Sequence, residues 1–291
     1  MKILLFGAMG QLGTELQQTL SPFGEVAAFD IHNLDLENTR EVRETIHRVR
    51  PDVIVNASAY TAVDQAEREA EQAFKINGDI PGLFAEEASK INAFLIHYST
   101  DYVFDGTKGR PYIETDAPNP LNVYGKSKLI GEQAIRSEND AYLILRTAWV
   151  YSTRRDSFVS KVLQWARQNE ALKIVNDQIS NPTWARMLAQ TTAMVLARTD
   201  NNLYSWLAKH KGIYHLAGDG FTSRLEWARK ILELDPLQEE HVYKKILPAI
   251  TNDFPTPAQR PLFSALDCAL FEKTFNLKLP NWQDTLQLAI S

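Results

Sequence analysis

The sequence has one cysteine in 291 residues, Cys268. That excludes an internal disulfide framework and fits a reducing compartment. A lone cysteine of this kind reads as a small buried hydrophobe rather than a reactive thiol. Long apolar runs are also missing: no stretch approaches the roughly 20 residues of a membrane span, and the apolar start Met1–Gly7 is too short for a secretion signal. The expected location is therefore cytoplasmic. Neither charge sign dominates, since 36 acidic and 31 basic residues leave a net charge of −5 spread along the chain. This argues against a nucleic-acid partner or an anionic membrane surface. Low-complexity segments and internal repeats are absent. So are His-x-x-x-His and Cys-x-x-Cys metal spacings, a Gly-x-Ser-x-Gly elbow and a Gly-Lys-Thr phosphate loop. No metal site is expected from these patterns.

What is present is an alternation of apolar runs with helical patterns. Strands are expected at Lys2–Phe6, Glu25–Phe29, Asp52–Val55, Ala93–Ser99 and Ala141–Arg146. Helices are expected at Gln11–Leu20, Asn38–Val49, Gln65–Lys90 (with Gly78 and Pro81 as irregularities) and Ser127–Ser137. Continuous apolar strands separated by helices imply an α/β fold, a Rossmann-type doubly wound parallel sheet covered on both faces. After about residue 170 the pattern loosens. Helices are predicted at Trp184–Thr199, Arg224–Glu233 and Cys268–Phe275, and the proline-rich Asn252–Pro261 is predicted to be irregular. The expected organisation is an NAD(P)-binding domain over residues 1–170 and a smaller C-terminal substrate-binding lobe mainly in 171–291, with the chain free to cross back. Ligands of such sheets lie beyond the carboxyl ends of the strands.

Gly7-x-x-Gly10-x-x-Gly13 follows the first strand and opens the first helix. Glycines there allow a tight turn and close approach of a pyrophosphate to a helix N-terminus. Asp30 ends the second strand, where a carboxylate suits the adenosine ribose hydroxyls and disfavours a 2′-phosphate. Asp35 and Leu36 are placed to flank the adenine, or else belong to an exposed loop. This combination points to NADH or NADPH, with Asp30 arguing for NADH.

Tyr124-x-x-x-Lys128 puts a phenol and an ammonium on one face of a helix. Tyrosine, with a pKa near 10, is a poor acid or base at neutral pH, and a neighbouring cation favours its ionised form. Taken singly, Thr100 caps a strand, Tyr124 is a core aromatic and Lys128 is a solvated charge. In this order behind a glycine turn they describe a reduction. A carbonyl held by the Thr100 and Tyr124 hydroxyls receives hydride on carbon and a proton from Tyr124, while Lys128 holds the nicotinamide ribose and lowers the Tyr124 pKa.

These motifs resemble the extended short-chain dehydrogenase/reductase family. The longer strings Arg50–Ala57, Thr61–Glu67, His97–Phe104, Pro120–Gly125, Arg146–Tyr151, Asn176–Gln178, Phe254–Pro261 and Leu279–Trp282 are similar to its dTDP-4-dehydrorhamnose reductase branch. That resemblance implies NAD(P)H-dependent reduction of the 4-keto group of a dTDP-linked deoxyhexose to dTDP-L-rhamnose. It makes Tyr124 the catalytic acid, Lys128 its helper and Thr100 its hydroxyl partner. Gly10, Gln11, Leu12, Asp30, Ala59, Tyr60, Thr61 and Tyr98 then line the cofactor. Thr100, Asp101 and Trp149 meet the substrate, and Arg260 meets its diphosphate. Some members of the family bind magnesium at a dimer interface through acids. Here Glu15 matches the first of these, but Arg186 stands in place of the second, so the resemblance implies a Glu15–Arg186 ion pair instead and leaves a homodimer open. Related folds also serve as sugar-nucleotide epimerases or as non-catalytic regulatory subunits.

Overall fold

A computed structural model describes residues 1–198 and 203–291. Its centre is a six-stranded, all-parallel sheet. Five strands fall where the apolar runs predict them: β1 (Lys2–Phe6), β2 (Glu25–Phe29), β3 (Val53–Asn56), β4 (Phe94–Thr100) and β5 (Tyr142–Thr147). The sixth, Gly212–His215, lies beside β5, and the spatial order is Gly212–His215, β5, β4, β3, β1, β2. Only four residues long, this edge strand carries too little pattern to be read from sequence.

Successive residues of each strand face opposite layers. Ile3, Leu5, Val53, Val55, Phe94 and Ile96 share one buried cluster with Leu12 and Leu16 of the helix Gln11–Leu20 and with Leu188 and Ala189. Leu4, Phe6, Ile54, Leu95 and Ile144 share another with Val42 and Ile46 of Thr39–Val49, Phe84 of Ile80–Ile91, and Ile135. Among the described residues no helix is long and apolar enough to cross a membrane.

The predicted helix over 65–90 is in fact three helices, Val63–Ala66, Ala70–Phe74 and Ile80–Ile91, with a π turn at Lys75–Asp79. Pro81 has no N–H for the carbonyl of Asn77, so the regular ladder fails there and widens. The Asn77 amide is thereby aimed at the Tyr60 backbone, accepting from its N–H at 2.9 Å and donating to its carbonyl at 3.0 Å.

The helix carrying Tyr124 and Lys128 runs Val123–Glu138, starting four residues before its expected beginning. Asn122 caps it by accepting from Gly125 N at 2.8 Å. A side chain on Gly125 would meet the Tyr102 carbonyl oxygen at 2.2 Å, so glycine lets this helix seat directly on the chain that follows β4.

The cores divide differently from a cut at residue 170. Tyr151, Val159 and Val162 pack with Trp227, Ile231 and Leu286 in a third cluster, built on helices Phe158–Gln168, Arg224–Leu234 and Trp282–Ile290 and the parallel pair Ala171–Val175 and Lys245–Ala249. Helix Ala185–Ala197 and the edge strand instead return to the sheet. The predicted helix Trp184–Thr199 ends on Thr199, which lies outside the described residues. Thr251–Asp253 is a single 3-10 turn, and the proline-rich stretch after it is irregular, as its composition predicts.

Candidate active site

The carboxyl ends of the sheet strands border a cleft of about 1080 Å³. At its glycine end Gly7 has φ +81°, and a side chain there would lie 2.6 Å from the backbone of Ala57 and Ser58. Gly7 and Ala8 N–H groups both donate to the Phe29 carbonyl. Gly10 caps the helix Gln11–Leu20 and borders the cleft with Gln11 and Leu12. Gly13 sits behind, where any side chain would collide with the Gly7 carbonyl, so its role is to pack helix on strand.

Asp30, Asp35, Leu36 and Glu37 border the far end of the cleft. One oxygen of Asp30 accepts from His32 N at 2.8 Å, and this short turn holds the carboxylate at the end of β2. Ala59, Tyr60 and Thr61 form the opposite wall. Two buried polar atoms at this cleft have no partner in the protein, Gln11 Oε1 and Thr147 Oγ1. Unpaired buried oxygens are rare and call for a ligand or water. The glycine cradle, these orphan oxygens and the acids at the end of β2 fit a nicotinamide dinucleotide laid across the strand ends.

Thr100 ends β4, opposite Thr147 of β5 in the sheet register, and Tyr124 stands in the first turn of its helix. Tyr124 is half-buried, and desolvation raises its pKa above the usual tyrosine value; a hydrogen bond with the Thr100 hydroxyl opposes that rise. Its ring meets Tyr102 edge-on at 5.8 Å. Lys128 is buried, and burial pulls its pKa down to about 8. Its Nζ donates to the Tyr98 carbonyl at 2.6 Å and lies 3.1 Å from His97 Nε2. Burial moves the two groups in opposite directions, Tyr124 up and Lys128 down.

Tyr98 borders the cleft through its backbone. Its phenol crosses to the other face of the sheet and pairs with Thr192 Oγ1 at 2.6 Å. Asp101 is buried and accepts from Thr100, Ser180 and Ser264 hydroxyls. Burial raises its carboxyl pKa to about 6, against those hydrogen bonds. It ties the end of β4 to the segments on either side of the helix Arg224–Leu234.

Trp149 has φ +39° and stacks on Trp227 at 5.5 Å, so it forms both a wall of the cleft and part of the lobe. The Arg224 guanidinium lies 3.7 Å from its ring centroid. Beyond it opens a second pocket of about 690 Å³, bordered by Phe158, Trp165, Gln178, Arg224, Phe254 and Arg260. Arg260 lies here rather than in the first cleft and is held by Asp64 at 2.7 and 3.0 Å. That guanidinium holds the Asp64 carboxyl below its usual range.

The family model described as "RmlD substrate binding domain" matches residues 1–291. The chain is 42% identical over 288 residues to the dTDP-4-dehydrorhamnose reductase of Escherichia coli K12, covering 97% of this chain and 95% of the relative. The chain belongs to the dTDP-4-dehydrorhamnose reductase family. A solved member from Clostridium acetobutylicum superposes with a TM-score of 0.91 at 35% identity, covering 100% of this chain and 98% of its own. Another from Bacillus anthracis, solved in complex with NADP, gives 0.88 at 31% identity, covering 99% and 98%.

The Glu15 carboxylate is buried and lies 3.3 Å from Arg186 Nε and 3.5 Å from Arg154 Nε. The ion pair expected from the substitution at Arg186 is present, with Arg154 as an unforeseen second cation. Among the described residues no group of three or more His, Cys, Asp or Glu is arranged to hold a metal.

Sequence reasoning missed Arg224, Phe158, Trp165 and Gln178. The pattern Ser223-x-x-Glu226 marks a helix start, and Ser223 does cap Arg224–Leu234 by accepting from Glu226 N. That signal locates Arg224 in the chain but says nothing about what it faces.

Proposed function

We propose that this chain reduces the 4-keto group of dTDP-4-dehydro-6-deoxy-L-mannose (dTDP-6-deoxy-L-lyxo-4-hexulose) to dTDP-L-rhamnose. The observation that carries this reading is the position of Tyr124 and Thr100, whose hydroxyls meet at the end of β4 between the glycine-walled cleft and Trp149. Gly7, Gly10, Gln11, Leu12, Asp30, Ala59, Tyr60 and Thr61 hold the dinucleotide, with Thr147 and Lys128 beside its nicotinamide end. When bound, the reduced nicotinamide supplies a hydride to the carbonyl carbon. Thr100 and Tyr124 hold the carbonyl oxygen, and Tyr124 gives it a proton as the C–O bond becomes an alcohol. The tyrosinate left behind regains its proton from solvent. Burial keeps Tyr124 protonated before the reaction, which suits an acid.

The nucleotide half of the substrate fits the lobe pocket. Phe158 and Trp165 offer faces for a base, and Arg224 and Arg260 offer charge for a diphosphate. At the adenosine end the carboxylates of Asp30, Asp35 and Glu37 disfavour a 2′-phosphate, so NADH is the better of the two cofactors. The single cysteine and balanced charge suit a cytoplasmic enzyme.

The test is a spectrophotometric assay with the 4-keto sugar nucleotide and each reduced cofactor. One cofactor oxidised per sugar, with dTDP-L-rhamnose as product, supports the reading. Sugar turnover without net cofactor oxidation, as in an epimerase, contradicts it.

A further inference from the structure

Asn122 stands two residues before Tyr124 and is buried, with 2% of its surface exposed. The two polar atoms of its side chain serve different parts of the molecule. Oδ1 accepts from Gly125 N at 2.8 Å and closes the first turn of the helix Val123–Glu138. Nδ2 donates at 2.7 Å to the carbonyl of Gln259, 137 residues away. These neighbours fix the orientation of the amide, because a backbone N–H only donates and a backbone carbonyl only accepts. A cap by itself requires only the oxygen. Serine or aspartate would cap the helix about as well, but of these side chains only asparagine also carries an N–H.

The carbonyl that Asn122 holds belongs to a wall of the lobe pocket. Phe254, Thr256 and Arg260 border that pocket, and Gln259 immediately precedes Arg260. The same segment is held from a second side. Asp64, on the short helix Val63–Ala66, accepts from the Arg260 guanidinium at 2.7 and 3.0 Å and from Ala258 N at 3.3 Å. Glu67, which ends that short helix, accepts from Val123 N at 2.8 Å. Three pieces distant in sequence thus meet at one junction: the start of the Tyr124 helix, the helix Val63–Ala66 and the segment Thr256–Arg260. Asn122 joins the first of these directly to the last.

We propose that Asn122 is a positioning residue for the reduction, whose Nδ2–H registers the wall of the sugar-nucleotide pocket against the helix that carries Tyr124. A shift of the Gln259 carbonyl carries Arg260 with it, and a shift of the first helical turn carries the Tyr124 phenol. The amide makes the two move together. This role rests on the lobe pocket being the sugar-nucleotide site, as proposed above.

Asn122→Ser tests it, because serine keeps the cap, adds no charge and is too short to reach Gln259. Affinity for thymidine diphosphate, read by calorimetry, should fall roughly 5–10-fold, as for one lost hydrogen bond that leaves a carbonyl unpaired. At saturating sugar nucleotide kcat should fall about tenfold as Tyr124 loses its register, while NADH affinity stays within about twofold. Asn122→Asp also keeps the cap but sets a carboxylate against the Gln259 carbonyl, so both losses should be larger than with serine. A residue that only caps the helix predicts wild-type binding and turnover in both variants, and that result overturns the proposal. So does an unchanged kcat at saturation, or a matching loss of NADH affinity. Failure of the unaltered protein to bind thymidine diphosphate would overturn the reading of the lobe pocket, and this proposal with it.

Discussion

The two cavities on either side of the Trp149–Arg224 contact are walled in different ways. The sheet-edge cleft is formed largely by backbone and short side chains at neighbouring strand ends: Gly7, Gly10, Ala57, Ala59, Thr100 and Thr147. Asp30, Asp35 and Glu37 border it beyond the end of β2, and Arg154 and Arg155 border it as well. The lobe pocket is formed by Phe158, Trp165, Arg224 and Phe254, drawn from separate stretches of the chain, and its charge is cationic. A dinucleotide with a free ribose needs close backbone approach and hydroxyl acceptors, whereas a nucleoside diphosphate sugar needs ring faces and guanidinium groups. The difference supports the proposed placement of the dinucleotide in the cleft and of the sugar nucleotide in the lobe pocket.

The largest effect expected from breaking this arrangement lies under the sheet side. Arg146 and Glu132 form a fully buried pair that joins β5 to the helix of Tyr124 and Lys128. Arg146→Ala leaves a buried carboxylate uncompensated and should cost about 3–5 kcal/mol in chemical denaturation. A loss below 1 kcal/mol would show that the pair does not anchor that helix.

Arg224→Ala should separate the two sides. Burial lowers the Arg224 pKa to about 10, yet it stays charged at neutral pH over Trp149. Loss of a charge-assisted contact of about 1.5–3 kcal/mol predicts a KM for the sugar nucleotide raised roughly 10–100-fold, with NADH affinity unchanged. An equal loss in NADH affinity would abolish the distinction between the cavities.

Asp101 joins the sides through Thr100, Ser180 and Ser264, and its effect depends on pH. Its folded pKa of about 6 lies above the unfolded value of 3.8. The folded state therefore binds the extra proton between these values, and stability falls as pH rises from about 4 to 6. Asp101→Asn should flatten that slope, by up to about 2 kcal/mol across the window. Thermal melts of both proteins at pH 4, 5 and 6 would show it; parallel slopes would contradict it.

The smallest effect expected is on cofactor choice. Asp30→Ala removes ribose contacts worth about 1 kcal/mol, and should shift the NADH-to-NADPH ratio of kcat/KM by about fivefold toward NADPH. The sugar nucleotide KM should not move.

The same contrast explains what could be read from the sequence. The cleft side rests on local signals: a glycine turn after Lys2–Phe6, an acid at the end of Glu25–Phe29, and Tyr124 four residues before Lys128. Each works within one strand–helix unit, so spacing alone reports it. Even there, the placement of Tyr98 through its backbone and of Gly13 behind the turn depends on which face of the sheet each meets. The lobe side has no such unit. Phe158, Arg224 and Phe254 come together only because Tyr151, Val162, Trp227 and Leu286 pack into one core. Nothing in the spacing of those residues carries that information.

The most direct test of the account is Tyr124→Phe, assayed for turnover of the 4-keto sugar nucleotide alongside NADH binding by fluorescence. Loss of the proton donor should lower kcat by about 10²–10⁴-fold while NADH affinity stays within about twofold. Near-normal turnover would contradict the assignment of Tyr124 as the acid.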